Sequence, residues 1–275
     1  MDAVRYLILF WLASSAFGQT VSIAITPVDP DLLWNRFEQN PQPNHERASR
    51  LATLFQAAGC SDLIDEPVRR SKLPNVVCTL SGTTEDVIIV GAHYDKTAAG
   101  TGAFDNWSGA SLLPSLYEAL AEKRRRYTFR FIGFSDEEKG FYGSKSHARK
   151  YGSNSIPKPH AMINLDTIGA ATTNVWLSRA DGRLADALFE ISNTLKLPLN
   201  VVNVENVGST DSESFRAKKI PVITIHSLTQ ELMPKLHSEG DQVSLVSRSQ
   251  YAESYRLILA YLAYLDAVWR LDEGS

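Results

Sequence analysis

The sequence predicts an α/β fold, a three-layer sandwich in which helices cover both faces of a mainly parallel, mixed central sheet. The apolar run at residues 87–92 is typical of a strand that is buried on both faces. Short apolar runs alternate with amphipathic segments after it, as in sheets whose parallel strands are joined by helices. The chain has 275 residues, of which 44% are hydrophobic, so it is long enough to bury the core of one large domain.

The first part of the chain is predicted to supply two helices and two strands. Pro27 and Pro30 mark the entry to the first helix. Gly59 ends the second helix, because glycine readily adopts the left-handed conformation that follows a helix. The predicted helices cover residues 32–37 and 46–58, and the predicted strands cover residues 66–70 and 75–80.

From residue 87 onward, strands and helices alternate. Apolar runs predict strands, and apolar residues spaced three or four apart predict helices, one of them in spite of Pro114. We find no internal repeat or linker, so residues 19–275 are predicted to form a single domain. The predicted strands cover residues 87–92, 127–134, 161–165, 175–177, 199–204 and 222–225, and the predicted helices cover residues 108–123, 142–150, 183–195, 212–218 and 250–271.

Residues 1–18 are predicted to be a secretory signal peptide. Arg5 precedes an apolar run at 6–13, and Ala16 and Gly18 form a small-residue cleavage site. The run is too short to span a bilayer. The sequence therefore predicts export to the periplasm or the extracellular medium; a buried N-terminal helix and a retained anchor are the alternatives.

The charge balance argues against a nucleic-acid partner. The formal net charge is -3 and the sequence pI is about 6.1, and no basic excess favours nucleic acid. No segment after the signal is predicted to cross a membrane.

Two cysteines, Cys60 and Cys78, follow the predicted signal. An exported protein meets an oxidising environment, which allows the two residues to form a disulfide. Two free buried thiols are the alternative.

Metal-binding types of side chain follow the predicted strands. In parallel sheets, ligands bind at the carboxyl ends of strands, and these ends would bring two histidines and at least four carboxylates to one rim. Carboxylates so close together repel and raise one another's pKa, which bound cations would relieve. His93 and Asp95 follow the strand at 87–92, Asp105 lies in the next loop, Glu137 and Glu138 follow 127–134, Asp166 follows 161–165, and His237 lies in the loop after 222–225.

Five motifs in chain order resemble the family of co-catalytic di-zinc aminopeptidases, which is related to glutamate carboxypeptidases and glutaminyl cyclases. Each motif is weak alone, but five in the same order make the resemblance specific. It covers about residues 45–265. The motifs are Gly-Ala-His-Tyr-Asp at 91–95, Phe-Asp-Asn-Trp-Ser-Gly at 104–109, Phe-Ser-Asp-Glu-Glu-Lys-Gly at 134–140, Asn-Leu-Asp at 164–166 and Leu-His at 236–237.

The resemblance implies a role for each site residue. One zinc ion would take His93 and Asp166, a second would take Glu138 and His237, and Asp105 would bridge the two; these nitrogen and oxygen ligands suit zinc. Glu137 would be the general base that acts on a zinc-activated water. Asp95 would accept the other ring N–H of His93 and orient that ligand.

The resemblance further implies a metallopeptidase, which the predicted signal would export, and by analogy with compact family members an aminopeptidase acting on peptides with a free N-terminus. Leu236 departs from the family, in which several members have a tyrosine at this position that donates to the reaction intermediate. Either another donor replaces it or the zinc ions suffice. Asp211 is either structural or an indirect support of the site, and His226 either makes a structural hydrogen bond or faces the site.

Two rival functions differ in class. A glutaminyl cyclase would use one zinc ion to cyclise an N-terminal glutamine, and the sequence His-Tyr-Asp-Lys at 93–96 is compatible with it. The complete second ligand set favours a peptidase. A non-catalytic binding domain on the same fold is expected to lose ligands, whereas every ligand is present in this sequence.

Overall fold

The computed structural model describes residues 6–12, 19–152, 156–205 and 208–268. Its strands are β1 (Tyr6–Leu12), β2 (Gln19–Ile25), β3 (Leu63–Glu66), β4 (Asn75–Leu80), β5 (Val87–His93), β6 (Thr128–Phe134), β7 (Ala161–Leu165), β8 (Thr173–Val175), β9 (Leu199–Val201) and β10 (Val222–His226). Its α-helices are α1 (Pro30–Glu38), α2 (Asn44–Ala57), α3 (Ser108–Ala121), α4 (Tyr142–Ala148), α5 (Gly182–Leu195), α6 (Ser212–Arg216) and α7 (Arg248–Val268).

Eight of these strands form one mixed sheet. Their order is β3-β4-β6-β5-β7-β10-β8-β9, while β1 and β2 pair separately. The four central strands β6, β5, β7 and β10 run parallel, whereas β4 and β8 run antiparallel to their central neighbours. The carboxyl ends of the four parallel strands therefore meet at one rim of the sheet, where ligands bind in folds of this kind.

Helices cover both faces of the sheet. Successive side chains of a strand point to opposite faces, and β5 shows the consequence. Ile88 and Val90 pack in the larger core with α1, α2, α3, α5 and α7, whereas Ile89 packs in a smaller core with α4 and α6. These two cores confirm the predicted three-layer α/β fold. An uninterrupted apolar strand requires such cover on both sides.

Two strand predictions are wrong in position. The strand predicted at 66–70 lies instead at Leu63–Glu66; Pro67 has no N–H to donate to a ladder, and Arg70 has a φ of 70°. The strand predicted at 175–177 overlaps β8 at Val175 alone, and the chain then forms a 3-10 turn at Leu177–Arg179.

The predicted signal peptide falls largely outside the described residues. Residues 6–12 form β1, which pairs antiparallel with β2. Residues 1–5 and 13–18, with the predicted cleavage site, lie outside the described part of the chain, and the signal peptide stays a prediction. Within the described ranges, no helix has both the length and the apolar character needed to cross a membrane.

Cys60 and Cys78 form a disulfide across a sequence separation of 18 residues, which confirms the predicted pairing. Cys60 lies just beyond α2, and Cys78 lies in β4, where it is fully buried. The bond thus fastens a helix of the larger core to a strand next to β6.

We expect reduction of this disulfide to lower the free energy of unfolding by about 3 kcal/mol, because the bond restricts the unfolded chain over a short loop. Urea denaturation of the oxidised protein and of the Cys60→Ala/Cys78→Ala double variant measures the difference. Two thiols that react with an alkylating agent in folded, unreduced protein would contradict the bond.

Candidate metal centre

The side chains predicted at the strand ends converge at the rim of the sheet. Six of them form three overlapping groups whose ligand atoms lie within 4.8 Å of one another. Each side chain is positioned by a strand end or by a loop beside it. His93 ends β5, and Asp105 lies in the turn Ala103–Trp107 before α3. Glu137 and Glu138 follow β6, Asp166 follows β7, and His237 lies in the loop after β10.

Asp105 lies at the centre of this cluster. Its Oδ1 lies 3.2 Å from Nε2 of His93, and its Oδ2 lies 3.2 Å from Nε2 of His237. Beyond these histidines, Nε2 of His237 lies 3.0 Å from Oε2 of Glu138, and Nε2 of His93 lies 4.0 Å from Oδ1 of Asp166. One carboxylate therefore belongs to two ligand groups, one with His93 and Asp166 and one with Glu138 and His237.

Asn106 fixes the turn that carries Asp105. Its Nδ2 donates to the carbonyl of Leu165 at 2.9 Å, and its Oδ1 accepts from the N–H groups of Gly109 and Thr167. Position 109 requires glycine, since a Cβ there would lie 2.7 Å from the carbonyl oxygen of Leu165. The side chain of Asn106 thus holds the Asp105 turn against the end of β7.

The donor set fits zinc. Imidazole nitrogens and carboxylate oxygens are ligands that this ion prefers. Oε1 of Glu138 is buried and has no hydrogen-bond partner among the described residues, and such an atom normally has one. A cation bound between Glu138, His237 and Asp105 would supply the missing partner.

The carboxylates of the cluster crowd one another. Burial, together with the charges of Asp211, Asp166 and Asp105, raises the pKa of Glu137 to about 10 against the opposing effect of His93. Burial likewise raises the pKa of Asp166 to about 7. Burial and the neighbouring carboxylates thus both disfavour the ionised forms, and bound cations would favour them.

A pocket of about 350 Å³ opens beside the cluster. Its polar end contains the six side chains of the three groups. Four apolar side chains form a wall in another part of the lining. Trp176 follows β8 and Val204 follows β9, whereas Leu228 and Leu236 follow β10, as His237 does.

The sequence profile of peptidase family M28 matches residues 75–262. This range contains all seven predicted site residues and the whole rim. The chain belongs to peptidase family M28.

Several known proteins resemble the chain. It is 25% identical over 183 residues to "Aminopeptidase YwaD" of Bacillus subtilis, a match that covers 64% of this chain and 40% of that protein. The crystal structure of the Legionella pneumophila LapA aminopeptidase superposes with a TM-score of 0.78 at 20% identity, covering 88% of this chain and 73% of that one. A glutaminyl cyclase of Fimbriiglobus ruber superposes with a TM-score of 0.71 at 17% identity, covering 86% and 95%. The chain spans less than half the length of the Bacillus relative.

Asp95 makes different contacts in this M28 chain from those predicted. Its carboxylate accepts the N–H of Glu137 at 3.0 Å and that of Glu138 at 3.3 Å. Nδ1 of His93 lies 3.2 Å from the backbone oxygen of Asp95 and 3.6 Å from its Oδ1. The carboxylate thus holds the segment that carries Glu137 and Glu138, and the main-chain oxygen is the nearer partner of the ring.

Asp241 and Arg47 are supporting residues that the sequence analysis missed. The buried carboxylate of Asp241 accepts the N–H of Phe104 at 2.8 Å and that of Asp105 at 3.3 Å. The guanidinium of Arg47, fully buried, donates to the carbonyls of Tyr94 and Gly102 at 2.9 and 2.8 Å. Together they join the end of β5, the Asp105 turn and the loop that carries His237.

We expect Asp241→Asn to weaken zinc affinity by roughly 10–100-fold, the usual effect of losing a group that orients a metal ligand. The amide has one acceptor oxygen and would turn an N–H toward one of the two donors. Zinc titration monitored by calorimetry measures the change. Asp266→Asn is the matched control, since Asp266 is also buried and accepts two backbone N–H groups, from Arg126 and Tyr127. An equal loss of zinc affinity in both variants would contradict a specific role for Asp241.

The sequence analysis left open the roles of His226 and Asp211 and the effect of Leu236. His226 lines the pocket and is fixed by two hydrogen bonds, Nε2 to the carbonyl of Val202 at 3.0 Å and Nδ1 from the N–H of Leu228 at 3.1 Å. Both alternatives for this residue therefore hold. Asp211 is buried just behind the site, and burial raises its pKa to about 7. Leu236 lines the pocket, and no tyrosine is among the described lining residues.

Proposed function

We propose that the chain is an exported zinc aminopeptidase that holds two zinc ions and releases residues from the N-termini of peptides. The observation that carries the proposal is the position of Asp105, whose two oxygens each lie 3.2 Å from a different histidine. One ion would take His93 and Asp166, and the other Glu138 and His237. The names of the relatives, several of which are aminopeptidases, support the same activity.

Zinc at these residues would act as a Lewis acid and bring the pKa of water to ~7. Glu137 borders the ligands His93 and Glu138 and is not needed as a ligand in either group. Its carboxylate would take a proton from the attacking water and pass it to the nitrogen of the leaving amine. Asp95 would keep Glu137 in place through its backbone N–H. The apolar wall of the pocket would bury the side chain of the first residue.

A glutaminyl cyclase is the second candidate, because such an enzyme shares the fold over nearly its whole length. Two measurements separate the candidates. If the chain is a peptidase, we expect two zinc ions per chain and a peptide shortened by one residue, with no cleavage once the N-terminus is acetylated. If it is a cyclase, we expect one zinc ion, ammonia released from N-terminal glutamine and no shortened peptide. That second pattern, found by metal analysis and mass spectrometry, would refute the peptidase.

Export rests on the predicted signal at residues 1–18. Cleavage there would remove β1 and leave β2 (Gln19–Ile25) without its strand partner. N-terminal sequencing of protein recovered from the periplasm or medium tests the proposal, with Gln19 expected as the first residue. Protein that stays in the cytoplasm with residues 1–18 attached would contradict export.

A further inference from the structure

A second groove lies beside the proposed active site, between α4 and α6. Its volume is about 370 Å³. It belongs to the face of the sheet that carries the smaller core, since both helices pack there. The residues that line it are Phe141, Lys145, Ala148, Arg149, Glu213, Ser214, Ala217 and Lys218.

The groove carries three cationic side chains and one anionic side chain. Lys145, Arg149 and Lys218 form no ion pair with the residues that the structure describes. Glu213 is already engaged, because both its oxygens accept from Arg216, at distances of 2.7–3.0 Å. Lys145 donates to a backbone carbonyl and lies over the ring of Phe141, but no carboxylate of the described residues neutralises the three cations. The groove therefore presents a surplus of positive charge, which suits an anionic ligand.

The groove adjoins the active-site pocket at Phe141. Phe141 lines both, and Gly140, which lines the pocket, accepts a hydrogen bond at its carbonyl from Nζ of Lys145 at 3.0 Å. The apolar end of the pocket is formed by Trp176 and Val204, which follow β8 and β9; these strands lie on the opposite side of β5 from β6, after which Glu137 and Glu138 lie. A substrate with its first side chain at that apolar end would place the bond to be cleaved at the metal ligands and continue past Phe141 into the groove.

The length of the groove sets how far along the peptide a charge would be recognised. Phe141 and Arg149 are eight residues apart along α4 and the 3-10 turn after it, a rise of roughly 12 Å in a helix. An extended peptide covers about 3.3 Å per residue. Two to four residues beyond the first one therefore fit alongside the three cations.

We infer that this groove binds a carboxylate of the substrate, two to four residues after the cleaved bond, and so gives the enzyme a preference for peptides with a negative charge there. The inference rests on the proposed aminopeptidase activity. A carboxylate can come from an acidic side chain or from the C-terminus of a short peptide, and both would accept charge-assisted hydrogen bonds from lysine and arginine.

Four substrates that share an N-terminal leucine test the inference. They are leucine p-nitroanilide, which does not reach the groove, Leu-Ala-Ala with a free C-terminus, the same peptide as its amide, and Leu-Ala-Asp amide. We expect kcat/KM for the two carboxylate peptides to exceed that for the neutral amide by roughly tenfold at low salt, and this ratio to fall as ionic strength rises. A preference for the free C-terminus alone identifies the terminal carboxylate as the ligand, and a preference for the aspartyl amide identifies the side chain.

The Arg149→Gln/Lys218→Gln double variant decides whether the groove is responsible. Lys145 is retained because it contacts the loop of the active site. The variant is expected to lose most of the tenfold preference while it hydrolyses leucine p-nitroanilide at the wild-type rate. Lys158→Gln is the control, since Lys158 is exposed and lies just before the amino end of β7, whereas the proposed site lies at the carboxyl ends of the strands.

Equal rates for neutral and carboxylate peptides in the wild type, or a preference that survives in the double variant, would overturn the inference. Both results leave hydrolysis of leucine p-nitroanilide intact. Failure of the proposed function looks different, because the anilide would then not be cleaved at all.

Discussion

Glu137→Gln is expected to reduce kcat by about 10²–10⁴-fold while both zinc ions stay bound, because the substitution removes a proton acceptor and no proposed ligand. Glutamine has nearly the shape of glutamate but cannot take the proton from water. Hydrolysis of leucine p-nitroanilide at saturating zinc, together with metal analysis of the same sample, measures the two quantities.

Glu138→Gln is the matched comparison, because the two glutamates are neighbours in sequence and differ in their contacts. Oε2 of Glu138 lies 3.0 Å from Nε2 of His237, and its Oε1 is buried without a partner among the described residues. We expect this variant to lose zinc from the His237 side of the site. If Glu137→Gln loses an equivalent of zinc and Glu138→Gln keeps both, the two roles are exchanged.

Thermal unfolding at two pH values tests whether the Glu137→Gln variant is correctly folded. The pKa of Glu137 is raised from 4.5 to about 10, chiefly through burial, so the folded chain disfavours the ionised carboxylate. Stability of the zinc-depleted wild type should therefore fall as pH rises from about 4.5 towards 10, and the glutamine variant lacks this loss. Chelator-treated Glu137→Gln is expected to melt at the same temperature as wild type near pH 4.5 and at a higher one at pH 8. A lower melting temperature at both pH values would show that the variant is damaged, and its kcat would not be informative.

The central sheet and the site were predictable because both follow from local patterns. The uninterrupted apolar run of β5 requires cover on two faces, and His93 comes directly after its last apolar residue. Once several strands are parallel, their carboxyl ends meet at one rim, so polar residues far apart in the chain can be placed together without knowing the fold in detail.

The supporting residues were not predictable in this way. Asp241 binds the N–H of Phe104 across 137 positions of sequence, and its own surroundings are those of an ordinary polar turn. Arg47 lies in an amphipathic helix, where a basic residue normally faces solvent, yet its side chain is fully buried. The displaced strand β8 has three residues, too few to show an alternating pattern. In each case the decisive contact is tertiary.

Asp105, the proposed bridge between the two zinc ions, provides the largest expected effect on metal binding. Asp105→Ala should lose affinity for both zinc ions and abolish peptidase activity, because the two oxygens of one carboxylate each lie 3.2 Å from a different histidine. Removing one side chain would then disturb both ligand groups. In two-metal sites the two ions act together on the reacting atoms, so activity would be lost as well. Zinc content after dialysis, measured by mass spectrometry of the metal, should fall from two equivalents to less than one.

His93→Ala and His237→Ala show whether the two groups are independent. His93 contacts Asp105 and Asp166, so its loss should spare the ion held by Glu138 and His237; His237→Ala should give the reverse pattern. Each single histidine variant is expected to retain about one equivalent of zinc, and Asp105→Ala less than either. If Asp105→Ala retains as much zinc as the histidine variants, Asp105 belongs to one ion alone. The chain would then hold its two metals through separate ligand sets, and the bridging carboxylate on which the proposed function rests would have to be abandoned.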